Sequence, residues 1–453
     1  LNTIKSELYG KIKEYHMGGI DHIEFSDHSV TAWGGMKLMK DLLEATKINE
    51  QLIALPLPEK GSNRGFEPSQ ILECFWTSIW IGAGRFSHCA YLRYDEVLKQ
   101  IFEWKQAPSQ STYSRFFNKF DWRRNTETFV PLFTWFFNQI LFNNVTLDLD
   151  STVMTRYGEQ QGAKKGYNPK KPGRNSHHPL MAFIPEVRMI ANAWMRQGNT
   201  SATSNVNNFL EETLNILEGK KIGLIRCDSG FYSDPFLREL EKKELNYVVA
   251  VKFYPTIKSQ VRSLRQWIPI KDGIEMCEFT YQSPDWKRSR RMVAVRKNIS
   301  KLKKATGKLL LFDDQIQAYR YSVYVTNLEL PAEQIWEMYK QRGDAENRIK
   351  ELKYDFALET FCMNNFWGTE AAFRCVLMAY NLMALFRQVV LKSKTQATLS
   401  TLRFKCFALG AWICKHARIT TLKITATGEK RRWLDALFDT VPKKSAPYFF
   451  SNA

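Results

Sequence analysis

The sequence predicts an α/β fold with helical regions at both ends and a β-rich insertion within it. Three observations carry this. Short apolar runs, two of them ending on aspartate, alternate with amphipathic helical patterns between residues 141 and 253. Helical periodicity then stops, and residues 254–328 alternate apolar and polar side chains as antiparallel strands do. Before 140 and again from 329 the helical spacing dominates.

At the N-terminal end, GGMKLMKDLLEATKI carries apolar residues at helical spacing, and PSQILECFWTSIWIGAG is apolar almost all round, as a buried helix is. The segment 107–120 has a helix-start pattern, Pro108 and Ser109 followed by Ser111 or Thr112 as N-cap, and it places Arg115 and Lys119 four apart on one face. Such a helix can enter a DNA groove or lie on an ordinary solvated surface.

VTLDLD (145–150) is a strand, continued by STVMTRYG, and 179–195 supplies further strands. VNNFLEETLNIL is a helix with Asn207 or Asn208 near its start. KIGLIRCD (221–228) is a buried strand ending on an acid, SDPFLRELEKKE a helix capped by Ser233, and LNYVVAVKF another strand. Three strands, then helix, strand, helix, strand is the element order of a ribonuclease-H-like domain.

The insertion holds Lys287, Arg288, Arg290, Arg291, Lys301, Lys303 and Lys304, and reads either as an interruption of that domain or as a small separate one. Residues 330–356 return to helix with Pro331 in the first turn, followed by the apolar helix 371–391. From 395 the tail reads as helical and basic, with Lys443 and Lys444 near a loose PYFFSNA end. The resulting division is a helical DNA-binding region (1–140), a core in two parts (141–253 and 329–392) around the insertion (254–328), and a basic helical tail (393–453).

The 453 residues carry 65 Lys and Arg against 46 Asp and Glu, a formal charge of +19, which favours a polyanionic partner. With 44% hydrophobic and 25% charged residues the chain is that of a folded protein. No apolar run is long enough to span a bilayer, and the opening residues lack the apolar centre of a secretory signal. Eight cysteines form no C-x-x-C pair, so neither a zinc site nor a disulfide framework is expected; the reading is cytoplasmic.

The chemistry sits on three acids. In VTLDLD, Asp148 and Asp150 face the same side of a strand, which calls for a neutralising cation or hydrogen-bond donors. Asp228 ends an apolar strand before Ser229-Gly230, a place where α/β folds line sites, though it suits a helix cap equally well. Tyr339, Arg342, Glu346 and Lys353, spaced 3, 4 and 7 apart, fall on one helix edge beside an apolar stripe of Met338, Ala345, Ile349, Leu352 and Phe356. Spacing alone also allows a solvated face with incidental Glu–Arg and Glu–Lys pairs.

These residues resemble the DDE transposases of bacterial insertion sequences, in the group whose third motif reads Y-(2)-R-(3)-E-(6)-K. Tyr339, Arg342, Glu346 and Lys353 keep every spacing, Asp150-Ser151-Thr152 matches the first motif, and Asp228-Ser229-Gly230-Phe231 the second. The resemblance spans about 145–390 and includes the insertion; Asp148 is a departure that competes with Asp150. It implies cut-and-paste transposition, with metal-dependent cleavage at element ends and strand transfer into target DNA by the freed 3′-hydroxyl. Asp150 would bridge two Mg²⁺ ions, with Mn²⁺ able to substitute, while Asp228 and Glu346 each hold one.

Tyr339, Arg342 and Lys353 would hold DNA phosphates. Trp286 would stack on an unpaired base or else pack within the β-block. The expected partners are terminal inverted repeats, target DNA and a second copy of the chain, acting at the bacterial nucleoid. Two alternatives keep parts of this pattern: a ribonuclease-H-like nuclease without strand transfer, and a DNA-binding protein that has lost catalysis.

Overall fold

The computed structural model describes residues 23–142, 144–298, 319–392 and 397–442, and the backbone of 448–449. Lys301, Lys303, Lys304, Lys443 and Lys444, the first 22 residues and most of the PYFFSNA end lie outside the described residues.

A nine-stranded sheet organises the chain. Its strands are β1 (Asn144–Ser151), β2 (Leu180–Ile184), β3 (Met189–Trp194), β4 (Lys221–Cys227), β5 (Tyr247–Ala250), β6 (Ile268–Lys271), β7 (Ile274–Tyr281), β8 (Arg290–Asn298) and β9 (Tyr319–Thr326). They lie in the order β6-β7-β8-β9-β5-β4-β1-β2-β3. Within it, β3-β2-β1 is an antiparallel meander, and β4 and β5 join parallel to β1. That order and those directions are the five-stranded core of the ribonuclease-H-like fold. The insertion is not a separate sheet: β9 pairs antiparallel with β5 through Val248–Ala250, so β9, β8, β7 and β6 extend the core sheet.

The helical N-terminal region contains α1 (Lys37–Thr46), α2 (Pro68–Ile81), α3 (Gln110–Phe117) and α4 (Trp122–Asn138). In α2 the residues from Ile71 to Trp80 are all buried, as its uniformly apolar sequence requires. Its partner is α9 (Phe366–Val389): the Trp76 and Trp80 indole N–H groups donate to the Cys375 and Ala379 carbonyls at 3.0 and 3.1 Å. On its other side α9 meets the sheet, where Asn381 exchanges two hydrogen bonds with the Ile190 backbone at 2.8 and 2.9 Å. The N-cap of α3 is Ser109, whose hydroxyl accepts from Thr112 N–H, rather than Ser111 or Thr112. Pro108 favours an extended residue before it, and the helix begins as soon as that restriction ends. Arg115 and Lys119 are exposed there, with Lys119 Nζ donating to the Glu59 carbonyl.

Helix α5 (Val206–Ile216) follows Asn205 in a left-handed conformation (φ 55°), so the chain turns two residues earlier than Asn207. Ser233 stands at the N-cap of α6 (Asp234–Lys242), but its side chain makes no capping bond. The stretch 330–356 is two helices, α7 (Ala332–Lys340) and α8 (Gly343–Tyr354), with Pro331 as the N-cap residue of α7. Ala345, Leu352 and Phe356 are buried as the apolar stripe predicts, and Arg387 of α9 forms a buried ion pair with Glu351 of α8. The tail, expected to be helical throughout, contains the antiparallel hairpin β10 (Ala411–His416) and β11 (Ile419–Ile424) before α10 (Gly428–Thr440). No described helix is long and apolar enough to cross a membrane, and all eight cysteines are unpaired.

Between β1 and β2 the chain forms a small three-stranded sheet of 154–155, 164–165 and 175–177. The buried His177 holds it: Nδ1 accepts from Arg156 Nε at 3.0 Å, and Nε2 lies 3.0 Å from the Gln161 carbonyl. Burial, followed by the Arg156 charge, pushes the imidazole down to about 4. The unfolded chain therefore binds the extra proton more readily, and stability is fully present above about pH 6.5 and lost as pH falls towards 4. Urea unfolding at pH 7 and pH 4.5 is expected to show roughly 2–3 kcal/mol of this loss, at about 1.4 kcal/mol per pH unit. His177→Gln abolishes that share of the slope; an equal slope in both proteins would refute the assignment.

Candidate active site

Asp150 lies one residue from the end of β1 and Asp228 immediately after β4. The two strands are parallel neighbours, with Asp148 opposite Arg226 and Leu149 opposite Cys227, so both chains deliver their acids to the same sheet end. Asp228 caps the turn Ser229–Phe231, its Oδ1 accepting from Gly230 N–H at 2.8 Å. Both the cap and the strand-end position expected from the sequence are therefore present.

Asp150 is buried, and its Oδ1 accepts from Ser151 N–H at 2.8 Å. Arg342, in the turn between α7 and α8, brings Nη2 to 3.0 Å from Asp150 Oδ2. The guanidinium is also buried, and its Nε and Nη2 find no aligned hydrogen-bond acceptor. Burial pushes the Asp150 carboxyl up to about 6; Arg342 and Ser151 N–H oppose the rise, and Asp228 and Glu346 add to it. Three acids from β1, β4 and α8 thus share one electrostatic neighbourhood. Burial disfavours the Arg342 charge, but Asp150, Tyr339, Asp228 and Asp148 outweigh it and raise its pKa.

Asp148 does not compete for this place. It is fully buried, and its two oxygens take Arg226 Nε and Nη2 at 2.6 and 2.8 Å. Arg226 Nη1 reaches on to the Met338 carbonyl at 2.5 Å, tying β4 to the end of α7. This role of Arg226 went unread in the sequence, although a cation inside KIGLIRCD, two before Asp228 as Asp148 is two before Asp150, was the available signal.

The other residues expected at the site divide. Tyr339 is half-buried, with its ring 4.5 Å from Tyr324, and burial raises its phenol. Lys353 donates to the Val153 carbonyl at 2.9 Å and pairs with Glu359 at 2.5 Å. Glu346 is exposed and pairs with neither Arg342 nor Lys353, so the incidental pairs allowed by spacing are not formed. Trp286 is half-buried in the β-block, edge-on to Tyr232 and Tyr281 at 5.6 and 5.7 Å, with the Arg290 guanidinium 4.6 Å from its ring centre. Tyr232 follows the Asp228 turn, so this aromatic group borders the site. Buried His178, beyond the sequence expectation, lies close enough for Asp228 to act on its titration.

Among the described residues, no three His, Cys, Asp or Glu side chains stand close enough to hold an ion as they are. The donor chemistry nonetheless fits a hard divalent cation: carboxylates are the oxygen ligands such an ion prefers, and the guanidinium against Asp150 carries N–H groups without acceptors.

No curated protein matches the chain. Among solved structures, the piggyBac transposase of a synaptic complex with hairpin DNA is similar, at 15% identity and a TM-score of 0.47, over 84% of this chain and 81% of that one. The model of the family described as transposase DDE domain group 1 matches residues 22–445. The chain therefore belongs to the DDE transposase family.

Proposed function

We propose that the protein is a cut-and-paste transposase of the insertion-sequence group with the Y-(2)-R-(3)-E-(6)-K motif, cleaving DNA at element ends and joining the freed ends to target DNA. The observation that carries this reading is the placement of Asp150 and Asp228 at one end of two parallel neighbouring strands, with Arg342 of the third motif 3.0 Å from Asp150. Asp150, Asp228 and Glu346 are the residues that would hold two Mg²⁺ ions, or Mn²⁺ in their place. When bound, such a pair stabilises the attacking and leaving oxygens of an in-line phosphoryl displacement. Arg342, with two N–H groups unsatisfied, holds a phosphate oxygen beside the scissile bond, and the Tyr339 hydroxyl holds a neighbouring one. Lys353 lies seven residues beyond Glu346, roughly 10 Å along the helix, and touches a further phosphate. The aromatic group of Trp286, Tyr232 and Tyr281 lies where an unstacked base could rest.

Two copies bridging paired terminal repeats at the nucleoid complete the reading, with the helical N-terminal region, including α3, as the end-binding part. The test is joining: the protein is incubated in Mg²⁺ with pre-cleaved terminal DNA from beside its own reading frame and a supercoiled plasmid. Joined product is expected. Absence of joined product would replace this reading with a plain nuclease. Lys353→Ala should weaken duplex binding and flatten the dependence of log K on log salt by about one unit; an unchanged slope would mean that Lys353 touches no phosphate.

A further inference from the structure

Immediately beyond Asp150 the chain leaves the sheet and builds the small three-stranded projection held by His177. Residues 156–174 carry Arg156, Lys164, Lys165, Lys170, Lys171 and Arg174 against one acid, Glu159. The last five of these cations are exposed, and none has a carboxylate within ion-pair distance among the described residues. Tyr157 and Tyr167 are exposed beside them, at 69% and 73%. Arg156, Lys165 and Arg174 line a cleft of about 420 Å³ with Tyr157 and Asn175.

The projection is built as a fixed shape. Asn168 ties its loop at both sides, donating to Thr155 Oγ1 at 3.1 Å and accepting from Lys171 N–H at 3.0 Å. The Gln161 carboxamide accepts from Phe366 N–H at the start of α9 at 3.0 Å. Gly166 lies so close to Gly198 that a Cβ would stand 1.9 Å from its carbonyl oxygen, so the two loops are pressed backbone to backbone. Five cations with no carboxylate partner, one of them (Lys171) resting on the Tyr157 ring and hydroxyl, repel one another on a rigid support, and an arrangement of this kind is relieved by a row of phosphates.

We infer that this projection binds the phosphate backbone of duplex DNA, specifically the duplex whose scissile phosphate lies in the acidic site. The assignment rests on the proposed transposase reading for the site itself. The duplex being cut is favoured as occupant by continuity. Lys353, on the same helix as Glu346, places its ammonium on the Val153 carbonyl at the root of the projection. A strand lying along Glu346 and Lys353 runs on towards these cations.

The test is a variant carrying Lys164→Gln, Lys165→Gln, Lys170→Gln and Lys171→Gln, all at exposed positions, with thermal unfolding measured to confirm an intact fold. Binding of a fluorescent duplex of arbitrary sequence, several helical turns long, is followed as a function of salt. The slope of log K against log salt should flatten by roughly 0.9 for each phosphate that the variant no longer neutralises, about two to four units in all. Cleavage of terminal DNA should fall with binding at moderate salt and recover at low salt.

An unchanged slope overturns the inference, as does an effect confined to a single-stranded oligonucleotide. Normal cleavage with failed joining to plasmid also overturns it, because the occupant would then be target DNA. If the wild type binds the duplex with the steeper slope but cuts nothing in Mg²⁺ or Mn²⁺, the surface stands and the catalytic reading falls.

Discussion

Asp150→Asn is expected to lower Mg²⁺-dependent cleavage of terminal DNA at least about a thousandfold, and Glu346→Gln to do the same. A thousandfold is about 4 kcal/mol of transition-state stabilisation, within the several kcal/mol that metal-assisted phosphoryl transfer draws from its ligands. Two features make the test clean. Glu346 is exposed and makes no ion pair with its motif neighbours, so Gln leaves the packing untouched. The Asp150 carboxyl is pushed up to about 6, so its ionised form opposes folding at neutral pH, and Asn should leave stability unchanged or higher. Single-turnover cleavage should thus fall with no loss in the thermal unfolding temperature for Asp150→Asn. Cleavage within about tenfold of wild type in either variant would remove that acid from catalysis.

Arg226→Met is expected to destabilise the protein by about 3–5 kcal/mol, because it leaves the fully buried Asp148 carboxylate without its partner. Adding Asp148→Leu removes the stranded charge and should restore most of that stability, since apolar replacements of buried ion pairs are often neutral or better. Cleavage should stay depressed in the double variant. The Arg226 bond to the Met338 carbonyl fixes the end of α7, just before the turn that presents Arg342 to Asp150. Urea unfolding and cleavage assays separate the two roles: cleavage that returned along with stability would make the pair purely structural.

The parts of the site visible in the sequence were those governed by local rules. Strand alternation exposes Asp148 and Asp150, and a Gly turn marks Asp228, because neither depends on distant neighbours. Glu346 could be singled out only through its motif spacing, since a glutamate on a helix with Arg and Lys nearby is commonplace. The break at Gln341–Arg342 was hidden because apolar spacing runs through it without interruption, with Gly343 its only local mark. What meets there is non-local: Arg226 from β4 and Asp150 from β1.

Pairing between distant segments also decided the remaining differences. The alternating insertion was readable as strands, but its continuation of the core sheet depends on three residue pairs between β9 and β5. The tail hairpin escaped for a chemical reason. Its two-residue turn is Ala417–Arg418, with Ala417 at φ 52°, a position where Asn or Gly would have announced the turn.

That sheet continuity sets a limit on how this chain can be shortened. Excising the four added strands would strip β5 of its outer neighbour and bare a row of amide and carbonyl groups, an invitation to edge-to-edge association. The same excision would remove Tyr324, the ring on which Tyr339 rests. A trimmed chain would therefore face two penalties together, self-association and a loosened residue beside Arg342 and Asp150, so redesign of this segment has to begin beyond β9.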